Sequence, residues 1–166
     1  AVLSQALEVD QLGVRIRGER GGFAVVDEMA FSVGRGKTLG IVGESGCGKS
    51  TLARCLVRLH EPDSGAIRFE GKDIGTFRGG ERRAFNRRVQ MIFQDPYGSL
   101  NPHMTVSQIL GEALSVHKMR PKEQIGHRIA ELLELVRLPQ DAAVRYPHEF
   151  SGGQRQRIGI ARALAV

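Results

Sequence analysis

The chain has 166 residues, 41% of them hydrophobic and 25% charged, with 24 Lys and Arg against 18 Asp and Glu for a formal net charge of +6. These proportions suit a globular domain with enough apolar residues for a core, and they exclude a low-complexity or fibrous chain. No apolar run approaches the roughly 18 residues that cross a bilayer, and Gln5, Glu8 and Asp10 interrupt the N-terminal stretch where a signal peptide stays apolar, so a cytoplasmic protein is expected.

Apolar alternation over residues 6–14 and 25–33, separated by Arg17, Gly18, Glu19, Arg20, Gly21 and Gly22, predicts an antiparallel β layer. Gly34, Arg35 and Gly36 turn the chain into Thr38, Leu39, Gly40, Ile41 and Val42, which read as a buried strand. A helix over 49–60 follows, with Leu52, Cys55, Leu56 and Leu59 on one face. Glu61, Pro62, Asp63, Ser64 and Gly65 break it, residues 66–70 alternate as one more strand, and Gly71, Lys72 and Asp73 turn again. Cys47 and Cys55 are the two cysteines, which suits reduced thiols, and the five histidines lack metal-site spacing.

A short basic helix over 81–86 comes next. The basic run Arg78, Arg82, Arg83, Arg87 and Arg88 raises nucleic acid and anionic lipid as partners, but it is interleaved with Glu81 and has no aromatic stacking pattern, so a solvated helix face is the expected role. Val89, Gln90, Met91, Ile92 and Phe93 read as a second buried strand ending at Gln94, Asp95 and Pro96. Ligands collect beyond the carboxyl ends of strands in parallel α/β sheets, which makes Gln94 a candidate to reach phosphates or their metal.

From Pro102 the pattern is helical. Thr105 and Gln108 form a capping-box pair ahead of the face Val106, Ile109, Leu110, Ala113 and Leu114, and Pro121 opens a helix with the face Ile125, Ile129, Leu132, Leu133 and Val136. Ser151, Gly152, Gly153 and Gln154 then lead into a last helix whose apolar residues are Ile158, Ala161, Leu164 and Ala165. Its start reads either as an ordinary Ser N-cap or as a second anion-binding helix N-terminus.

The chemistry concentrates in Gly43, Glu44, Ser45, Gly46, Cys47, Gly48, Lys49, Ser50 and Thr51. Gly, four residues, then Gly, Lys and Ser is the spacing of a P-loop, and it falls between a predicted strand and a predicted helix as that motif requires. Glycines at 43, 46 and 48 let successive N–H groups turn inward around phosphate oxygens. Lys49 adds a full charge for the β and γ phosphates, the Ser50 hydroxyl is placed for Mg²⁺, and the helix points its positive end at the anion. The ligand expected is a nucleoside triphosphate with Mg²⁺.

Taken together, the P-loop, Gln94 and Ser151-Gly152-Gly153-Gln154 resemble the ATP-binding subunit of ABC transporters, with Gln94 as the glutamine loop and 151–154 as the signature. Gln94-Asp95-Pro96-Tyr97-Gly98-Ser99-Leu100-Asn101-Pro102 and Arg145-Tyr146-Pro147-His148-Glu149-Phe150 look like the dipeptide, oligopeptide and nickel importer branch. The resemblance implies an α/β P-loop NTPase core with an antiparallel β layer over 1–96 and an α-helical subdomain with the signature helix over 97–166. It also implies an energy-coupling ATPase that binds Mg·ATP, with Lys49 and Gln94 in the catalytic set and Ser50 and Gln94 toward the metal. Two such subunits would sandwich ATP between the P-loop of one and the signature of the other. Membrane permease subunits would dock on 94–106, with Tyr97, Leu100 and Val106 as apolar candidates, at the inner face of the cell membrane, and solute choice, a peptide by family, lies outside this chain.

The sequence departs from that family twice. Where an aromatic residue normally covers adenine, Gly13, Val14, Arg15 and Ile16 are aliphatic, leaving Ile16 or Phe23 for the base. The chain also reaches Val166 before the family's second apolar strand with its acidic pair and before the switch histidine, which resembles a fragment with an incomplete core that binds ATP without efficient hydrolysis. The alternative of another class is a soluble ABC-type ATPase acting on nucleic acid in DNA repair. The peptide-importer stretch after Gln94 favours the transporter subunit, with no direct nucleic-acid contact.

Overall fold

The computed structural model describes residues 5–18, 21–95, 98–119 and 121–166. They form two compact units that divide between Asn86 and Arg87.

In the first unit, β1 (Gln5–Gly18) and β2 (Gly21–Gly34) pair antiparallel, and β3 (Ser64–Phe69) and β4 (Lys72–Asp73) extend the sheet in the order β2-β1-β3-β4. Period-two alternation buries Val9, Leu12, Val14, Val26 and Ile67. Both long strands exceed the predicted spans, and Glu19 and Arg20 of the predicted loop lie outside the described residues. The β3–β4 turn takes positive φ at Glu70 (50°) and Gly71 (79°), the geometry that matches the right-handed twist of a two-residue hairpin. Close approach fixes Gly65, where a Cβ would come within 2.3 Å of the Gln11 carbonyl oxygen.

Helix α1 (Lys49–Leu56) buries Leu52 and Cys55 and stops four residues earlier than predicted, with Leu59 exposed. It ends in a Schellman cap: Arg58 has φ 58°, the Leu59 N–H donates to Arg54 O (2.8 Å) and the Arg58 N–H to Cys55 O (3.0 Å). A 3-10 turn (Ile74–Thr76) precedes α2 (Gly79–Arg88), whose arginines at 82, 83, 87 and 88 are exposed. Phe85 is the buried residue of this helix and stacks edge-on with Phe69 and Phe77, centroids 5.4 and 5.7 Å apart.

Two predicted strands do not form. Residues 38–42 are irregular and exposed, Val42 by 93%, and residues 89–93 are irregular and only partly covered. An apolar run becomes a strand when a neighbour takes its N–H and C=O groups, and none of the described strands pairs with either segment. Among the described residues the only sheet is therefore the antiparallel one, within an α/β fold.

The second unit is helical: α3 (Val106–Val116), α4 (Lys122–Leu135) and α5 (Gly152–Leu164), with 3-10 turns at Gln140–Val144 and Pro147–Glu149. Its core joins Leu110, Leu114, Leu132, Leu133 and Ile158, all fully buried, with Leu100, Val106, Ile129 and Phe150. Each such side chain contributes about 1.5–3 kcal/mol by leaving water. The predicted faces of α3 and α4 are the buried ones, and Val136 and Leu138 close α4 as far as Pro139. On α5, Ile158, Ala161 and Ala165 are buried while Leu164, grouped with them in the sequence, is 46% exposed. Leu100 and Val106, expected to face a permease, are instead core residues at 3% and 0% exposure, because burial in the subdomain is where their apolar surface is removed from water. Tyr97, the third docking candidate, and Pro96 lie outside the described residues.

Candidate functional site

The P-loop of the first unit is built from backbone. Gly46 (φ 85°) and Gly48 (φ 92°) occupy the left-handed region that other residues resist, and at Gly48 a Cβ would meet the Val25 carbonyl oxygen at 2.3 Å. The loop is thus pressed onto β2. Gly43 is held equally close, its ideal Cβ 2.6 Å from the Cys47 Sγ. Behind the loop, Leu52 and Cys55 anchor α1, so the helix start cannot drift.

That start carries the anion chemistry. Gly48 caps α1 without a side-chain hydrogen bond, and no acidic residue sits in the first turn, so the positive end of the helix stays open toward the loop. Lys49 bends back over it: its Nζ donates to Gly43 O (2.8 Å) and Glu44 O (2.6 Å) and approaches Cys47 Sγ at 3.4 Å. Glu44, Ser45, Gly46, Cys47 and Ser50 are exposed, and Thr51 is half-buried. A glycine loop, an uncapped helix start and one ammonium reaching back over them fit the phosphates of a nucleotide, and the exposed Ser50 hydroxyl fits a metal bound beside them.

Ile16 and Phe23 lie opposite each other in the β1–β2 ladder and are 46% and 63% exposed. They form an apolar pair across β1 and β2, the second of which carries the Val25 that backs Gly48. The expected substitutes for the missing aromatic cover are therefore neighbours in one ladder.

Gln94 and residues 151–154 belong to the second unit. Gln94 is exposed at a bend and does not end a strand, since residues 89–93 form none. At the signature, the Ser151 Oγ accepts from the Gln154 N–H (3.3 Å) and the Gln154 side chain accepts from the Ser151 N–H (2.9 Å). This capping box satisfies the start of α5 from within the chain. Gly152 and Gly153 add no side chain to that turn. The two helix starts read as anion sites thus differ: the one behind the P-loop is open, and the one at the signature is closed by its own residues.

Sequence reasoning missed Arg155. It is the one buried charged residue among those described, and its Nε donates to Pro147 O (2.7 Å) and its Nη2 to His148 O (3.3 Å). The preceding segment is also tied to itself: the Tyr146 N–H donates to the Glu149 carboxylate (2.6 Å), and the Arg145 guanidinium lies 4.5 Å from the Phe150 ring centroid. Arg145 O in turn accepts from the Val106 N–H (3.0 Å), joining this segment to the start of α3. The available signal was an arginine three residues before Ile158, on the apolar side of α5. Arg162, likewise missed, donates to Ser99 O (2.5 Å), and burial, only partly offset by Glu112, lowers its pKa.

Comparison with known proteins agrees with these features. The chain is 51% identical over 162 residues to the oligopeptide transport ATP-binding protein OppF of Bacillus subtilis, covering 96% of this chain and 53% of that protein. It is 49% identical over 147 residues to the oligopeptide transport ATP-binding protein AppF of the same organism, covering 88% of this chain and 45% of that one. The chain spans about half the length of the curated relatives it matches. Among solved structures it superposes on the dimeric structure of MJ0796, a bacterial ABC transporter cassette, with a TM-score of 0.85 at 25% identity, covering 96% of this chain and 69% of that one. The ABC transporter family model matches residues 26–166, and the chain belongs to that family.

Proposed function

We propose that this chain is the nucleotide-binding part of the energy-coupling ATPase of an ABC importer, with peptides as the solute class. The observation that carries the reading is the P-loop: an open helix start behind a glycine loop, with Lys49 tied among the described residues to the carbonyls of Gly43 and Glu44 and one thiol. Residues Gly43, Glu44, Ser45, Gly46, Cys47, Gly48, Lys49, Ser50 and Thr51 hold the phosphates, with Ser50 and Gln94 toward Mg²⁺. Bound Mg²⁺ supplies charge neutralisation on the phosphates. Ile16 and Phe23 cover the base. Residues 1–96 act as the nucleotide-binding core and 97–166 as the helical subdomain.

Ser151, Gly152, Gly153 and Gln154 serve the nucleotide of a second ATP-binding subunit. The dimeric form of the MJ0796 cassette supports such a pairing. The names of the relatives, oligopeptide transport ATP-binding proteins, support the transporter reading over an ATPase acting on nucleic acid. A permease subunit docks on the exposed side chains of 94–106, such as Gln94, Asn101 and His103, which places the chain at the cytoplasmic face of the membrane.

The test is equilibrium binding of Mg·ATP to the chain and to Lys49→Ala. Loss of one charge-assisted partner predicts a weakening of about tenfold or more. Unchanged affinity in a folded variant would remove the P-loop from the site.

A further inference from the structure

A cavity of about 270 Å³ lies between the end of α1 and the β3–β4 hairpin, lined in part by Cys55, Arg58, Glu61, Asp73, Gly75 and Arg78. Two guanidiniums converge at its wall on the same pair of carbonyl oxygens. Arg58 donates from Nη1 to Phe77 O (2.9 Å) and from Nη2 to Gly75 O (3.4 Å), and the Arg78 Nη1 donates to Gly75 O (2.7 Å) and Phe77 O (2.9 Å). Neither arginine forms an ion pair with a carboxylate among the described residues, and the Asp73 carboxylate is taken by the Gly75 N–H (2.8 Å). Arg58 Nε and Arg78 Nε and Nη2 keep donors without a partner in the described chain.

We propose that this cavity is an anion site for a small phosphate ion, inorganic phosphate or pyrophosphate. Like charges packed side by side repel, and an anion between them removes that repulsion while engaging the open donors in charge-assisted bonds. The same imbalance appears at Arg58, whose pKa is lowered by burial first and then by Arg82 and Arg78, against the smaller opposing influence of Glu61 and Asp73. The open Nε and Nη2 of Arg78 form one planar fork, and with the Nε of Arg58 they suit the several oxygens of a phosphate better than a single spherical anion. About 270 Å³ is ample for a phosphate or pyrophosphate ion beside the two guanidiniums. The Schellman cap of α1 fixes the Arg58 backbone, the 3-10 turn at Ile74–Thr76 carries the Gly75 carbonyl, and Phe77, next after the turn, is held by its N–H bond to Ile74 O (3.2 Å) and its buried ring, so both guanidiniums are held before an anion arrives. None of these residues belongs to the P-loop, so the proposal does not depend on the nucleotide reading.

The experiment follows the arginine Nε–Hε resonances during titration with sodium phosphate and, separately, sodium pyrophosphate, with sodium chloride at matched ionic strength as the control. Saturable shifts of Arg58 and Arg78 with either phosphate salt are expected. Arg78→Ala, at an exposed position, should weaken the effect on Arg58 by about tenfold, whereas Arg83→Ala, exposed on α2 outside the cavity, should change it by less than about twofold. The proposal is overturned by equal shifts in sodium chloride, by the absence of saturable shifts in both phosphate salts, or by equal weakening in the two variants, which would mark a diffuse basic surface.

Discussion

A Cβ on Gly48 would lie 2.3 Å from the carbonyl oxygen of Val25, with Gly48 itself at φ 92°. Two constraints therefore coincide at one residue: a backbone conformation that L side chains resist and a strand carbonyl with no room before it. At Gly46 only the first applies, since φ is 85° and nothing lies within 4 Å of the added carbon. Gly46→Ala is expected to destabilise the chain by about 1 kcal/mol, the cost of a left-handed non-glycine residue. Gly48→Ala should cost clearly more, because α1 or β2 must also shift. Denaturant titration of both variants checks this ordering, and equal losses would count against the contact with Val25.

Two helices begin with reciprocal caps. Thr105 accepts from the Gln108 N–H (3.3 Å) while the Thr105 N–H donates to the Gln108 side chain (2.8 Å), and Ser151 and Gln154 repeat the arrangement. Thr105→Ala and Ser151→Ala should each lower stability by about 1 kcal/mol. Gly at either position should cost only a few tenths, because it tolerates the cap backbone. If Ser151→Ala left the unfolding midpoint where it is, the hydroxyl would not be serving as a cap.

What was legible in the sequence was what is decided within a few residues. The capping pair at Thr105 and Gln108, the faces of α3 and α4, and the glycine spacing around Lys49 all depend on local geometry. Residues 38–42 and 89–93 carry the composition of buried strands, but a strand is defined by its neighbour, and no periodicity says whether that neighbour is present. Leu100 and Val106 were misjudged for a related reason: an apolar residue next to a loop signals burial without saying against what. The helical spacing of Arg155 from Ile158 hinted at its burial, but its partners, Pro147 O and His148 O, were not legible, because they are backbone atoms whose positions depend on how the preceding turn folds. At the signature, both roles suggested by Ser151 were legible, and the geometry of Gln154 shows the capping one.

His117 gives the second unit a pH dependence. Burial first, and then the charge of Arg87, lower its pKa from the ordinary value of 6.5. The native state therefore holds this proton less readily than the unfolded chain, and unfolding takes one up in the interval between the two values. The stability linked to His117 is fully present above pH 6.5, declines as pH falls through that value, and has levelled off once pH is below the native pKa. His117→Gln should flatten the stability profile on the acid side of neutrality without changing it at pH 8. An unaltered acid-side slope in that variant would assign the dependence to other groups.

The two thiols should differ sharply in reactivity, and only one should sense nucleotide. Cys55 is 1% exposed on the inner face of α1, and burial, reinforced by Asp63, pushes its pKa upward. Both effects suppress the thiolate that reacts, so labelling of Cys55 must wait for unfolding. Cys47 is exposed in the P-loop, with its Sγ 3.4 Å from Lys49 Nζ and close against Gly43. A disulfide reagent under native conditions should therefore modify one thiol per chain, and peptide mapping should place the label at Cys47. Mg·ATP should then slow the reaction, because a nucleotide seated in the loop covers the sulfur and draws Lys49 away from it. The null outcome is informative as well: if Cys47 labels at one rate with and without saturating Mg·ATP while binding is confirmed independently, the nucleotide does not lie over residues 43–51. If Cys55 labels as fast as Cys47 in the folded chain, the packing of α1 that holds the loop in place is looser than its burial indicates. The rates of the two sites in one experiment thus separate occupancy of the cradle from the integrity of the helix that supports it.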